Sequence, residues 1–241
     1  MFKLPLMLLL DREAFWKTLR EHGISWAGIA SMVAFVIIAC AIYGVVMAGW
    51  RSSEQALYAT IKLPLVFIAS TAIVAVFNWM VATAFGSGLS FRESVALTFA
   101  SMAVACWILL ALAPVVWFFS LTGVSKVGEA PTAEINFAYR VILLTHVIVL
   151  AIAGVAGNIS LFNGLRAVVR PNCPTALLFV AWITLFAIVG CQVAWMLSPF
   201  VGDPLLEVTF FSPDALKTNF LEVVFGRLLP SFLTGADLWS R

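Results

Sequence analysis

Charge is scarce in this sequence: Asp, Glu, Lys and Arg make up 11% of its 241 residues, against about 25% in an average soluble domain. That shortage excludes a water-soluble surface of ordinary composition. The 14 Lys and Arg residues are dispersed, so no basic patch could neutralise successive phosphates, and nucleic acid is excluded as a partner. Histidine is rarer still, with only His22 and His146. A bis-His haem across the membrane is thereby ruled out. Cys40, Cys106, Cys173 and Cys191 form neither a C-x-x-C pair nor a zinc-type Cys/His spacing, and read as small core residues. No Asp or Glu lies inside a long apolar run, which removes a carboxylate proton path or cation site. Clustered carboxylates for a metal, or a nucleophile with a dedicated base, are not found at recognisable spacing. The sequence therefore leads to a non-enzymatic chain with no cofactor.

What is abundant is apolar length. Hydrophobic residues make up 63% of the chain, and that excess has to face lipid. Five charge-free intervals are long enough to cross a bilayer: 23–50, 63–91, 94–125, 141–165 and 171–202. They predict an all-α, polytopic helical bundle with helices over 25–49, 60–86, 92–120, 135–163 and 174–198. Ser90-Phe91-Arg92-Glu93 is a capping box at the start of the third, and Ser52-Ser53-Glu54-Gln55 can act likewise before the second. Pro64 and Pro114 fall inside helices two and three, where each removes an amide donor and should bend the helix. Trp26, Trp50, Trp117, Phe118 and Phe119 sit near span ends, at headgroup level.

The chain reads as one integral membrane domain over 1–241, with the bundle at 25–198 between interfacial flanks at 1–24 and 199–241. Leu4-Pro5-Leu6-Met7-Leu8-Leu9-Leu10 is too short for a signal peptide, and Asp11-Arg12-Glu13 stands where a cleavage site would be needed. Residues 11–22 set Phe15, Trp16 and Leu19 among Arg12, Lys17 and Arg20, an amphipathic helix for the headgroup layer. Near the C-terminus, Ser212-Pro213-Asp214 reads as a helix start, followed by an apolar side carrying Phe220, Val223, Val224 and Leu228. With the N-terminus inside, Lys3, Arg12, Lys17, Arg20, Arg92, Arg166 and Arg170 lie on the inner side. Arg51, Lys62, Lys126 and Arg140 lie in outer loops. Over the loops the bias favours a cytoplasmic N-terminus, and Lys217, Arg227 and Arg241 of the tail add three cations to the outer side and bring the two sides to parity.

Polar groups within the spans are the place to look for function, because lipid makes them costly without a partner. They are Asn78 in helix two, Thr145, His146 and Asn158 in helix four, and Gln192 in helix five. Interhelical hydrogen bonding is the bland reading of all of them; a pore lining is the sharper one. Gly44 and Ala48, Ala96 and Ala100, and Ala153 and Gly157 are small pairs suited to close packing. The most distinctive segment is the helix exit Gln192-x-x-Trp195-x-x-x-Pro199-Phe200-x-Gly202-x-Pro204, read as a built turn that directs the tail.

On that exit motif, and on Leu89-Ser90-Phe91-Arg92, the sequence resembles uncharacterised bacterial five-helix membrane proteins loosely akin in layout to the Yip1-like group. In those relatives an arginine often precedes the Pro-Phe pair, where this chain has Ser198. The resemblance implies a bacterial cytoplasmic (inner) membrane and no catalysis. Two functions stay open. One is a scaffold or accessory subunit packing against other membrane proteins. The other is a homo-oligomeric channel lined by Asn78, His146 and Gln192. Beyond the lipid bilayer, the partner is another membrane protein or a second copy of the chain.

Overall fold

The structure, a computed structural model, describes residues 3–122, 132–202, 207–211 and 219–220. It is all-helical over the described residues, with α1 (Lys3–Leu10), α2 (Arg12–His22), α3 (Trp26–Ala48), α4 (Ser53–Ala84), α5 (Phe91–Thr122), α6 (Thr132–Val168) and α7 (Thr175–Leu197). Five helices are long and apolar enough to cross a membrane: α3, α4, α5, the Phe137–Val168 part of α6, and α7. The chain is an integral membrane helical bundle.

Local chemistry sets the ends. The Ser25 hydroxyl accepts from the Gly28 amide to start α3. At α5 the box closes both ways, with the Glu93 amide donating to the Ser90 hydroxyl and the Ser90 amide donating to the Glu93 carboxylate at 2.8 Å. Ser52 accepts from the Gln55 amide at 3.1 Å and starts α4 at Ser53, seven residues ahead of the expected position 60. The capping signal therefore prevails over the cation and the proline that follow it, and Lys62 and Pro64 both fall inside the helix. Lys62 is no loop residue. Arg140, counted above with the outer loops, lies in α6, within the span expected for the fourth helix.

Helix α5 forms the centre, almost continuously buried from Ser94 to Cys106, and packs on α3, α4 and α6. Helix α7 lies at the edge, chiefly against α4 and only lightly on α6, with Leu178 and Trp182 its buried residues. Between helices in lipid, close backbone approach replaces the hydrophobic drive. The small pairs serve that purpose. A Cβ on Gly44 would lie 2.6 Å from the Ala59 carbonyl oxygen, and one on Gly157 would lie 3.0 Å from the Ser101 carbonyl oxygen. Ala48, Ala96, Ala100 and Ala153 are all buried beside these contacts.

The N-terminal flank is more protein-bound than its sequence suggests. Asp11 caps α2, and Phe15, Trp16 and Leu19 are buried in the protein rather than offered to headgroups. Trp16 packs where Gly164 of α6 leaves room. The preceding apolar run is itself a helix, α1, and its Pro5 carbonyl accepts from the Trp107 indole of α5 at 2.9 Å. The α2 end, the α4–α5 connection and the α6–α7 connection meet at one end of the bundle. There Arg170 donates its amide to the Ser87 carbonyl, and the Arg92 guanidinium reaches Gly23. The expected C-terminal interfacial helix at 212–228, Phe220 apart, and Pro204 of the exit motif lie outside the described residues.

Candidate functional site

The exit motif and α4 form one site. Helix α7 ends at Leu197, where the Ser198 amide and hydroxyl both donate to the Trp195 carbonyl, and Pro199 stands beyond the helix. From α4, the Lys62 ammonium donates to the Pro199 carbonyl at 2.9 Å. Two turns nearer the start of α4, the Gln55 amide donates to the Pro199 carbonyl at 3.3 Å and to the Phe200 carbonyl at 3.0 Å. The turn closes through Gly202, whose φ of 80° favours glycine. A Cβ there would also come within 3.0 Å of the Gln55 side chain.

Both clasping side chains are buried, Lys62 at 0% exposure and Gln55 at 1%. The aromatic ring of Phe210 covers the ammonium at 4.8 Å, and Phe210 in turn meets Tyr58 edge-on at 5.1 Å. Gln192, expected to serve as a pore or interhelical residue, accepts from the Phe220 amide at 3.0 Å and so holds a later part of the same tail. Four polar or aromatic side chains thus hold the chain that follows α7. Gln55 and Lys62 are the residues that sequence reasoning missed. Reading the Ser52 cap as decisive would have put both on one helical face of α4.

The other polar candidates lie elsewhere. His146 is 2% exposed and shares a 3.2 Å hydrogen bond through Nδ1 with the Tyr43 hydroxyl, joining α6 to α3. The Cys40 and Cys106 sulfurs lie 3.7 Å apart beside this pair, one helical turn along α3. Asn78 and Asn158 do come together. They line a cavity of about 210 Å³ enclosed by α4, α5, α6 and α7, together with Thr98, Ser101, Gly154 and Trp182. The Trp182 indole donates to the Asn78 backbone carbonyl at 2.9 Å. Asn78, His146 and Gln192 therefore occupy three separate environments.

Among the described residues, no three His, Cys, Asp or Glu side chains gather where they could hold a metal ion. Comparison with protein families, with curated proteins and with solved structures finds no match.

Proposed function

We propose that the chain is a non-enzymatic scaffold or accessory subunit of a membrane protein assembly, and that it presents its post-α7 tail as the docking element. The observation that carries this reading is the use made of Lys62. An ammonium placed within a span is costly, yet here its one hydrogen bond among the described residues goes to a backbone carbonyl of the exit turn. A bundle that buries a cation to fix the path of a segment has that segment's position as its product. Gln55, Gln192 and Phe210 serve the same end. The channel reading receives less support, because its lining residues face a closed pair, a side cleft and the tail instead of one axis.

In this proposal the protein resides in a bacterial cytoplasmic membrane with its N-terminus in the cytoplasm. Lys17, Arg20, Arg92, Arg166 and Arg170 belong to the segments that meet at the α2 end, in keeping with that direction. The docking claim is tested by a photo-crosslinking residue at the exposed Phe211, with lipid-facing Ile37 as control, in intact membranes. Crosslinks from 211 to a different membrane protein support it, whereas crosslinks only to lipid, or only to a second copy, count against it.

A further inference from the structure

The cleft between α4, α5, α6 and α7 is independent of the clasp, and its polar atoms are unbalanced. Asn78 is 2% exposed, and its side-chain oxygen has no hydrogen-bond partner among the described residues. The hydroxyls beside it are already committed as donors. Ser101 donates to the Thr98 carbonyl at 2.8 Å, and Thr98 donates to the Ser94 carbonyl at 3.0 Å. The Trp182 indole is spent on the Asn78 backbone carbonyl. What remains uncommitted on the inner wall is the Asn78 carboxamide, whose oxygen is an acceptor without a donor among the described residues, and a buried acceptor left unpaired is unfavourable.

The walls are otherwise apolar, with Phe67, Met102, Leu161 and Phe186 among them, and among the described residues no Lys, Arg, His, Asp or Glu lines the space. A charged headgroup would find no counterion there. Asn78 lies six residues from the α4 end at Ala84, about 9 Å below it at 1.5 Å per residue, so the acceptor sits beneath the interface. Entry is from the bilayer. Helices α6 and α7 pack lightly on each other, and exposed Asn158 and Ala187 flank the opening between them. A Cβ on Gly154 would touch nothing within 4 Å, so this glycine borders open space. At about 210 Å³ the cavity exceeds the 150 Å³ that suffices for benzene, room for a short length of acyl or isoprenoid chain. It is too narrow for a helix about 10 Å across.

We propose that this cleft binds a neutral lipid bearing a free hydroxyl, of the long-chain alcohol or diacylglycerol class, with the hydroxyl donating to the Asn78 side chain and the chain lying out between α6 and α7. Charge-neutral lipids of this kind are free to sink below the headgroup plane, where the acceptor waits. In a diacylglycerol, Asn158 at the mouth meets the ester region of the same molecule.

The test uses the full chain in nanodiscs with three diazirine-tagged probes of equal length: a long-chain alcohol, its methyl ether and the matching fatty acid. Crosslinks are mapped by mass spectrometry. The alcohol should label the peptides around residues 98–105 and 154–161 about tenfold more than the ether, the size of one buried hydrogen bond, and the acid should label least. Asn78→Leu keeps the Trp182 contact, which is to the backbone, and should bring alcohol labelling down to the level of the ether. Gly154→Phe fills the cleft and should abolish labelling by both. Equal labelling by alcohol and ether, labelling spread over all lipid-facing helices, or labelling that survives Gly154→Phe would overturn the proposal and leave water as the partner of Asn78.

Discussion

Replacing Lys62 by methionine keeps length and apolar volume while removing the ammonium, and it separates two roles that a buried lysine could have. The loss is local: the 2.9 Å bond to the Pro199 carbonyl, worth about 1.5–3 kcal/mol for a charged donor, and the Phe210 face at 4.8 Å, worth about 0.5–2 kcal/mol. The gain is global, because the folded bundle no longer holds a desolvated cation, a relief of roughly several kcal/mol. The two terms oppose each other, so overall stability should change by less than about 2 kcal/mol in either direction. The exit turn, however, loses its attachment without compensation. Losing about 2 kcal/mol of local hold raises its opening equilibrium by about 30-fold. Alkylation of a cysteine placed at Val201, buried in the exit turn, should therefore accelerate by that order when Lys62→Met is added, while the thermal midpoint of the helices stays near wild type. If the Val201→Cys thiol reacts as before, or the whole bundle melts early with no selective loosening of the exit turn, Lys62 is a core element and the clasp account fails.

Three further outcomes follow from other contacts. Gly44→Leu puts a side chain where even a Cβ would stand 2.6 Å from the Ala59 carbonyl oxygen, so α3 and α4 must separate at a cost of about 1–3 kcal/mol, read as a lowered unfolding midpoint; an unchanged midpoint would show that the approach is slack. Tyr43→Phe takes the hydroxyl from the buried His146 ring and should destabilise by about 1–3 kcal/mol in the same assay, with no loss expected from Thr145→Val on the exposed side of α6. Burial pushes the Cys173 thiol up from its ordinary value. In a variant keeping this cysteine alone, alkylation should rise with pH at a higher midpoint than for an exposed thiol. Because the folded value exceeds the unfolded one, ionisation favours the unfolded chain, and stability should fall as pH rises above the ordinary thiol range. A midpoint at the ordinary value would contradict the burial.

The sequence makes the five spans legible because cost in lipid is a composition effect, and a charge-free stretch such as Trp26–Ala48 declares itself without reference to the rest of the chain. An end set by neighbours in sequence is equally readable, as at Ser90. What composition hides is a charge satisfied from far away. Lys62 looks like the edge of a span because its partner, the Pro199 carbonyl, is 137 residues distant. The local cap at Ser52 carried the right answer, and the apparent penalty of the lysine masked it. The polar residues were found but not their grouping. Asn78 and Asn158 share a cleft, while His146 turns to Tyr43, because of how α4, α5, α6 and α3 rotate against one another. That rotation depends on close approaches such as Gly44 on Ala59, which no single helix encodes. The aromatic face of α2 looked fit for headgroups for the same reason: nothing local says that Gly164 leaves a space for Trp16.

The claim that this bundle exists to place its tail for another protein meets its most direct test in a purification. The full chain, extracted from its native membrane in a gentle detergent or polymer disc, is compared with Gln55→Leu/Lys62→Met, which removes the three clasp bonds to Pro199 and Phe200. The account predicts a second membrane protein in near-stoichiometric amount with the wild-type chain and its loss from the double variant, both chains remaining folded. Recovery of the wild-type chain alone or only with itself, or a partner retained equally by the variant, would contradict it.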